Sequence, residues 1–509
     1  MARDKAIRSA LLSVYHKDGL ADIVRQLDRL GVRLISTGGT EQFIRDLGVS
    51  VTPVEDLTTY PSILDGRVKT LHPKVHGGIL ARRNEDHLGQ LEKYDIPEID
   101  LVIVDLYPFE ETVATTEEEE LIIEKIDIGG IALIRAAAKN YNDVVIVPSR
   151  EDYGTLLTIL TEHDGKTTVA ERRALARRAF AVSSHYDTAI FRYFNEADEL
   201  PAFKESEMTS HPLRYGENPH QEARFYGDLS SMFDQLAGKE LSYNNLVDID
   251  AAVKMMGEFA EGDPAFVILK HTNACGVAVR PTLVEAWHAA LAADNISAFG
   301  GILIANRPID LATAEKIDKL FYEVLLAPAF AEDAYELLSK KKKRVLLKYH
   351  HLEQRDKSFK SLLNGVIRQD ADRRIETAED FTVVTTKAPT EQETADLIFA
   401  NKCAKHLKSN TIALVRNNQL LGMGCGQTSR VDALKQAVDK AGRFGFDLKG
   451  AVMASDAFFP FPDCVEIADR AGITAVVQPG GSIKDQDSID YCNAHGMAMV
   501  TTGVRHFMH

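Results

Sequence analysis

The chain reads Ala-Phe-Val-Ile-Leu-Lys-His-Thr-Asn-Ala-Cys-Gly at positions 265–276. The apolar run predicts a buried β-strand, and Lys270 and His271 stand at its end. We expect Asn273 and Gly276 to turn the chain after them. Strand ends present reactive groups to clefts, and a neutral imidazole beside an ammonium can act as a base. A strand that merely ends in polar residues is the alternative, because ionisable pairs are also common in structural settings.

Short apolar runs alternate with helical patterns on both sides of this strand. The predicted strands are 10–14, 32–36, 101–106, 144–147, 265–270, 302–305, 411–415 and 419–424. The predicted helices are 20–30, 131–140, 170–195, 282–293 and 431–441. This alternation is typical of an α/β protein with parallel sheets. The order strand, helix and Phe-containing turn occurs twice after residue 211, which indicates two similarly built halves.

The stretch 196–207 is polar and acidic and contains Pro201, a composition typical of linkers. We therefore expect one domain over residues 1–199 and a second over residues 200–509. The length of 509 residues is enough for each domain to bury its own core.

Composition excludes several classes of protein. A net charge of −16 argues against a nucleic-acid or membrane-surface binder, although local basic clusters can still bind small anions. The five cysteines are scattered without Cys-x-x-Cys spacing, so neither a disulfide framework nor a compact zinc site is predicted. The first residues lack the apolar core of a signal peptide, and no run approaches membrane-spanning length. We expect a cytoplasmic protein.

The first domain contains two glycine-rich turns of the phosphate-binding type. One is Ser36-Thr-Gly-Gly-Thr40, which follows a strand, and the other is Asp127-Ile-Gly-Gly130, which opens a helix. Cations and a phenol lie between or after them, at Arg67, Lys69, Tyr107, Arg135 and Lys139. Each feature alone is more often structural, but together they predict a site for a phosphorylated small molecule.

The second domain contains further dense clusters of functional groups. Residues 213–221 combine a cation, a phenol, amides and an imidazole, and Asn410 precedes a strand. The turn 422–430 is rich in glycine and ends in Arg430, but it contains no Walker motif. A zinc base deaminase is excluded, because its Pro-Cys-x-x-Cys motif is missing.

These motifs occur together, in this order, in one known family. They are Arg67-Val-Lys-Thr-Leu-His-Pro, Leu106-Tyr-Pro-Phe, Asp127-Ile-Gly-Gly with Arg135-Ala-Ala-Ala-Lys-Asn, Arg214-Tyr-Gly-Glu-Asn-Pro-His-Gln, Leu269-Lys-His, Gly426-Gln-Thr-Ser-Arg and Ser455-Asp-Ala-Phe-Phe-Pro-Phe. The chain resembles the bifunctional purine biosynthesis enzymes that join inosine monophosphate (IMP) cyclohydrolase to aminoimidazole-carboxamide ribonucleotide (AICAR) transformylase.

The resemblance implies a methylglyoxal-synthase-like first domain and two cytidine-deaminase-like units without zinc in the second. It implies nucleotide and folate substrates, with 10-formyltetrahydrofolate as co-substrate, no tightly bound cofactor and no metal. It also implies a homodimer in which the two subunits share the transformylase sites. A nucleotide-binding regulatory protein without catalysis is the alternative.

Roles for individual residues follow from the same resemblance. Lys270 and His271 would transfer the formyl group, and Asn410 would orient His271 or the carboxamide. The substrate contacts in the second domain would be Arg214, Tyr215, Glu323, Arg430, Phe458, Asp463 and Arg505. In the first domain, Lys69, Tyr107, Asp127 and Lys139 would promote cyclisation. The substrate contacts there would be Ser13, Lys17, Ser36, Thr37, Gly38, Gly39, Thr40, Arg67, Thr70, Gly129 and Gly130.

The sequence departs from the family pattern in two places. Tyr15-His16-Lys17 stands where a smaller segment is expected near the phosphate, and Pro462 precedes Asp463 where an arginine is expected. The second departure puts a substrate contact from position 462 in doubt.

Overall fold

The computed structural model describes residues 4–197, 199–353 and 355–509. The chain divides into two compact units, Met1–Met208 and Thr209–His509. The division falls at the end of the acidic stretch 196–207, of which Asp198 lies outside the described residues.

The first unit alternates strands and helices. Its strands are β1 (Lys5–Ala6), β2 (Ser9–Val14), β3 (Arg33–Ser36), β4 (Thr52–Pro53), β5 (Leu101–Asp105), β6 (Val145–Val147) and β7 (Lys166–Thr167). Its helices are α1 (Leu20–Arg29), α2 (Gly38–Asp46), α3 (Val54–Thr58), α4 (Pro73–Leu80), α5 (Glu85–Lys93), α6 (Phe109–Thr115), α7 (Glu119–Ile123), α8 (Gly129–Lys139), α9 (Tyr153–Glu162) and α10 (Val169–Phe194).

A five-stranded sheet of order β4-β3-β2-β5-β6 forms the centre of this unit, and all its neighbouring pairs are parallel. Ala10, Leu11 and Leu12 of β2 are all fully buried. Because successive side chains of a strand point to opposite faces, both faces of the sheet are covered. The ends of β2, β3 and β5 consequently bring their following turns to one edge.

The second unit has more strands. They are β8 (Ser210–Leu213), β9 (Ala223–Tyr226), β10 (Phe233–Ala237), β11 (Ala265–Lys270), β12 (Asn273–Val279), β13 (Ile302–Ala305), β14 (Val324–Ala327), β15 (Val345–Tyr349), β16 (Lys357–Leu362), β17 (Gly365–Asp370), β18 (Thr382–Val383), β19 (Ile412–Val415), β20 (Leu420–Gly424), β21 (Val452–Ser455), β22 (Ala475–Gln478) and β23 (Ala498–Thr501). The helices are α11 (Tyr243–Gly257), α12 (Leu283–Ala293), α13 (Leu311–Ile317), α14 (Glu332–Leu338), α15 (Glu391–Lys405), α16 (Arg430–Arg443), α17 (Asp463–Ala471) and α18 (Asp485–His495).

Two six-stranded sheets of the second unit share one topology. Their orders are β10-β15-β14-β13-β11-β12 and β18-β23-β22-β21-β19-β20. In each sheet an antiparallel hairpin pairs with the first of three parallel strands, and an antiparallel strand closes the far edge. The two similarly built halves predicted from the sequence are therefore present.

The two halves share one hydrophobic core. Side chains of α11 and α15, such as Met256 and Leu397, are buried in the same cluster as residues from both sheets. Each hairpin also packs closely on a helix of its own half. A Cβ on Gly276 of β12 would lie 1.8 Å from the carbonyl oxygen of Ala290, and one on Gly424 of β20 would lie 1.9 Å from that of Ala433. Gly276 therefore serves helix packing, and its predicted role in a turn is wrong.

The eight predicted strands agree with β2, β3, β5, β6, β11, β13, β19 and β20 to within one residue at each end. Within the described ranges, no helix is long and apolar enough to cross a membrane. All five cysteines are free, and four of them are buried.

Candidate active sites

The turn after β3 leaves the start of a helix uncapped by a side chain in the first unit. Helix α2 begins at Gly38, and the side chain of its N-cap residue, Thr37, does not cap it. The hydroxyls of Thr37 and Ser13 lie 3.3 Å apart. A Cβ on Gly38 would lie 3.1 Å from Nζ of Lys69, so the ammonium stands beside the start of the helix. Helix-terminal amides and an ammonium together favour a phosphate.

Three other residues predicted to bind substrate make internal hydrogen bonds. Ser36 Oγ donates to the carbonyl of Leu12 at 2.9 Å, and Thr40 Oγ1 donates to that of Val14 at 2.9 Å. Lys17 Nζ donates to the same Val14 carbonyl at 2.6 Å. Burial lowers the pKa of Lys17, and the charge of Asp105 opposes that shift. These hydrogen bonds hold α2 and the segment after β2 against the edge of the sheet.

The second glycine-rich turn is closed by its own aspartate. Asp127 Oδ1 accepts a hydrogen bond from the amide of Gly130 at 2.6 Å. The carboxylate thus occupies the start of α8, where the sequence had predicted a phosphate cradle. A Cβ on Gly129 would lie 2.8 Å from Oγ1 of Thr70, which brings the segment carrying Lys69 next to this turn. Burial raises the pKa of Asp127, although the hydrogen bond from Gly130 opposes the shift.

Tyr107 contacts Tyr15, which belongs to the segment where the sequence departs from the family pattern, and Lys125, which the sequence did not single out. Its ring packs edge-on against Tyr15 at 5.4 Å between centroids, and Lys125 Nζ lies 5.8 Å from the Tyr107 centroid. Burial raises the pKa of the Tyr107 phenol, and the negative charge of Asp127 adds to the shift. The position of Lys125, two residues before Asp127, was the available signal for its presence here.

Two predicted cations are placed differently. Arg67 is exposed and forms an ion pair with Glu124. Lys139 is exposed at the C-terminal end of α8, which begins at Gly129. At a rise of about 1.5 Å per residue it lies about 15 Å along the helix axis from that turn. The structure therefore does not bring Lys139 to the start of α8.

In the second unit, Lys270 ends β11 and pairs with Asn273, the first residue of β12. His271 and Thr272 form the connection, with φ angles of 53° and 62°. The chain therefore turns before Asn273, whereas the sequence predicted that Asn273 itself would turn the chain. A two-residue hairpin with two positive φ angles presents its first central side chain away from the sheet, and His271 is exposed.

A cavity of about 200 Å³ is lined by residues of both halves, and neither Lys270 nor His271 is among them. Lys270 Nζ donates to the carbonyl of Phe299 at 2.8 Å, at the end of the segment that also contributes Ser297 to the cavity wall. Cys425 lines the same cavity, and its thiol contacts Oδ1 of Asn273 at 3.2 Å. Both halves of the unit thus contribute to the cavity wall, and Cys425 connects that wall to Asn273, the first residue after the turn.

Asn410 belongs to a buried polar network. Its side-chain amide donates to the carbonyl of Gln427 at 2.9 Å, and its Oδ1 accepts from Arg430 at 2.7 Å. Arg430 also donates to Ser455 at 3.0 Å and forms an ion pair with Asp456. The structure therefore uses Arg430, predicted to hold the nucleotide, to orient Asn410.

Most of the remaining predicted contacts of the second unit interact with other residues of the protein. Arg214 donates to the hydroxyl of Tyr215 at 2.8 Å, and Glu323 pairs with Lys239 at 2.6 Å. Asp463 begins α17. Phe458 is exposed, and Arg505 lies 4.4 Å from the ring centroid of Phe507. Across the described chain, no group of three or more His, Cys, Asp or Glu residues is placed to hold a metal ion.

Comparisons with known proteins show which family the chain is similar to. A family model of the AICARFT/IMPCHase bienzyme matches residues 137–440, and a model of MGS-like domains matches residues 19–132. The bifunctional purine biosynthesis protein PurH of Bacteroides thetaiotaomicron is 62% identical over 510 residues, which is 100% of each chain. PurH of Chlorobium luteolum is 47% identical over 522 residues, 99% of this chain and 100% of that protein. The solved structure of ForH is 37% identical, covers 37% of this chain and 100% of its own, and superposes with a TM-score of 0.34.

The MGS-like unit and the duplicated second unit define an α/β enzyme with two separate sites for small-molecule substrates. The bienzyme model covers more than half of the chain, and the identity to full-length relatives extends from end to end. The chain belongs to the AICARFT/IMPCHase family, the bifunctional AICAR transformylases and IMP cyclohydrolases of purine biosynthesis. A regulatory protein without catalysis is not supported.

Proposed function

We propose that residues 200–509 transfer the formyl group of 10-formyltetrahydrofolate to the 5-amino group of AICAR, and that residues 1–199 close the product to IMP. The observation that carries the proposal is the hairpin tip, at which Lys270 ends β11 and the exposed His271 follows in a turn with positive φ angles. Folate acts as a co-substrate here, so the reaction needs no tightly bound cofactor.

Formyl transfer needs a base and a cation. The lone pair of the AICAR amine is delocalised into its ring, which makes the amine a poor nucleophile. His271 takes the amine proton as the nitrogen attacks the formyl carbon, and Lys270 stabilises the resulting oxyanion. The bond from the formyl carbon to the folate nitrogen then breaks, and that nitrogen takes a proton. Asn410, held by Arg430 at 2.7 Å, orients the carboxamide.

Ring closure needs mainly orientation and proton transfer. The start of α2 and Lys69 bind the phosphate, and the carboxamide nitrogen attacks the formyl carbon. Tyr107 stabilises the oxygen on that carbon. The carboxamide nitrogen and the formamide nitrogen each lose one proton, and both protons leave with the formyl oxygen as water. Asp127, whose charge acts on the Tyr107 phenol, moves one of these protons. Ser13, Thr37 and Thr70 complete the substrate contacts.

A homodimer with shared transformylase sites is part of the proposal, as is a cytoplasmic location. Support for the dimer comes from the β16–β17 hairpin, on which Leu362, Leu363, Val366 and Ile367 are exposed. Exposed apolar side chains on a two-stranded hairpin are typical of a surface that a second chain covers. Light scattering of the purified protein would measure its mass, and a monomer at every concentration would contradict the dimer.

The central experiment supplies the full chain with AICAR and 10-formyltetrahydrofolate and follows tetrahydrofolate and IMP separately. Tyr107→Phe should release tetrahydrofolate normally while formyl-AICAR accumulates. His271→Ala should fail to release tetrahydrofolate yet still cyclise supplied formyl-AICAR. Absence of tetrahydrofolate release by the unmodified enzyme would contradict the transfer step, and loss of both activities in either folded variant would contradict two separate sites.

A further inference from the structure

The two halves of the second unit close their hairpins with the same kind of turn. His271 and Thr272 join β11 to β12 with φ angles of 53° and 62°, and Asn417 and Asn418 join β19 to β20 with φ angles of 53° and 52°. Each is a two-residue connection with positive φ at both positions, which is typical of a type I′ hairpin. The two turns therefore form a matched pair within one chain.

An aspartate from the preceding helix holds each turn. Asp248 is the sixth residue of α11, and its Oδ1 accepts a hydrogen bond from the amide of Thr272 at 2.8 Å. Asp396 is the sixth residue of α15, and its carboxylate accepts from the amides of Asn417 at 2.9 Å and Asn418 at 2.7 Å. The same side chain at the same helix position thus caps both turns.

The residues in the two turns differ in how well they tolerate this backbone. Asn417 and Asn418 are of the type that enters the left-handed region most readily after glycine. Thr272 is β-branched, and such a residue is rarely found at positive φ. The first turn therefore depends more on its aspartate than the second turn does.

The surroundings of the two carboxylates also differ. Asp396 is buried at 2% exposure and faces backbone amides. Asp248 is half-buried and stands beside the imidazole of His271. Burial raises the pKa of Asp248, while the Thr272 hydrogen bond and the neighbouring imidazole of His271 oppose that rise. Only the first carboxylate therefore touches a turn that carries a reactive side chain.

We infer that Asp248 is a positioning residue for formyl transfer, because its carboxylate fixes the left-handed turn that aims the His271 imidazole at the nucleotide amine. The inference rests on the proposed function, in which His271 is the base. Asp396 performs the same structural task in a turn that has no part in the chemistry.

The test measures both activities of the full chain in matched variants. Asp248→Ala should lower kcat for formyl transfer about 10- to 100-fold, since small misplacements of a catalytic group carry losses of this size. KM for AICAR should change by less than about twofold, because binding contacts are kept. Asp248→Asn keeps an acceptor for the Thr272 amide and should restore most of the rate. Asp396→Ala should lose thermal stability but retain kcat.

A second pair of variants separates positioning from folding. Thr272→Gly in the Asp248→Ala background should recover kcat, because glycine adopts the left-handed conformation without a cap. Should Asp248→Ala fail to fold, Asp248→Glu, which displaces the carboxylate by one methylene, takes its place with the same expected loss.

Two results would overturn the inference. One is a kcat within about twofold of the unmodified enzyme in Asp248→Ala or its replacement, and the other is an equal loss in Asp396→Ala. The proposed function has its own readout in His271→Ala. Normal formyl transfer by His271→Ala would contradict the role of His271 as the base. Loss of transfer in His271→Ala together with full activity of Asp248→Ala would contradict only the positioning role of Asp248.

Discussion

The hairpin tips of the two halves have the same backbone but different side chains. Arg416, Asn417 and Asn418 stand in the second half where Lys270, His271 and Thr272 stand in the first. The Arg416 guanidinium donates to the carbonyl of Lys449 at 2.7 Å and belongs to the scaffold.

The second tip carries the residues that the turn prefers, and the first carries the residues to which we assign formyl transfer. Each non-glycine residue in the left-handed region costs about 1 to 3 kcal/mol, and less for asparagine. The first turn is therefore the less stable of the two. Unfavourable backbone conformations persist where function needs them and the surroundings hold them.

The largest expected effect comes from making the first tip resemble the second. His271→Asn should lower formyl transfer about 10²- to 10⁴-fold, the range for loss of a general base. The same change should leave the protein at least as stable, because asparagine suits the turn better. Steady-state kinetics and urea unfolding measure the two effects. The reverse change, Asn417→His, should reduce stability and leave formyl transfer intact; a loss of transfer there would contradict the division of roles.

Replacing the cation that precedes each turn should lower the rate of formyl transfer at the first tip only. Lys270→Met should lower kcat for formyl transfer about 10²- to 10³-fold, as expected for loss of one stabilising group at an oxyanion. Arg416→Met removes a cation from the equivalent position and should leave kcat unchanged. Equal effects in the two variants would mean that both tips, or neither, take part in catalysis.

His506, near the C-terminal end, should make the stability of the second unit depend on pH. His506 is buried, and it contacts Asp372 at 2.7 Å and Glu376 at 2.9 Å. Burial alone would lower its pKa, but these carboxylates outweigh burial and raise it from 6.5 to about 9. Because the folded pKa exceeds the unfolded value, the stabilisation is full below pH 6.5 and is lost as the pH rises to about 9.

The expected loss across this window is about 3 kcal/mol in the free energy of unfolding. Urea unfolding at several pH values measures it, and His506→Gln should flatten the dependence. The C-terminal segment also lies next to Asn410, since the Ser409 amide donates to the Met508 carbonyl at 2.9 Å and the Met508 amide donates to Ser409 Oγ at 3.0 Å. If the free energy of unfolding of His506→Gln depends on pH to the same extent, groups other than His506 cause the effect.

The smallest expected effect concerns the turn backbone alone. Thr272→Gly should raise the free energy of unfolding by about 1 kcal/mol, because it removes the strain of a β-branched residue at positive φ. Asn418→Gly should change the free energy of unfolding by only about a few tenths of a kcal/mol, because asparagine already tolerates positive φ. Equal gains from both changes would show that the two turns are equally strained.

The sequence predicted most of the regular structure. Strands such as β11 and β19 are short, continuous apolar runs, which are typical of buried strands. Their observed bounds agree with the predicted ones to within one residue. The turn after β11 was not predictable in the same way. Neither His271 nor Thr272 is a turn former, and the residues that usually turn a chain, Asn273 and Gly276, lie within β12.

The candidate sites show the same limit. Lys69, Thr70 and Gly129 were recognisable from their motifs, and the structure brings them together. The pairing of Arg430 with Asn410 and of Arg67 with Glu124 joins residues distant in sequence, and no local pattern indicates which partner a guanidinium will choose.

The sequence by itself determined the α/β class, the duplication, the family and the Lys270-His271 dipeptide, because hydrophobic periodicity and ordered motifs are local properties of a chain. Only the tertiary structure decided how that dipeptide is presented. Asp248 lies in a separate helix, and its carboxylate reaches the Thr272 amide only after α11 has packed on β11. A strained turn needs a partner from elsewhere in the fold, and packing alone supplies it.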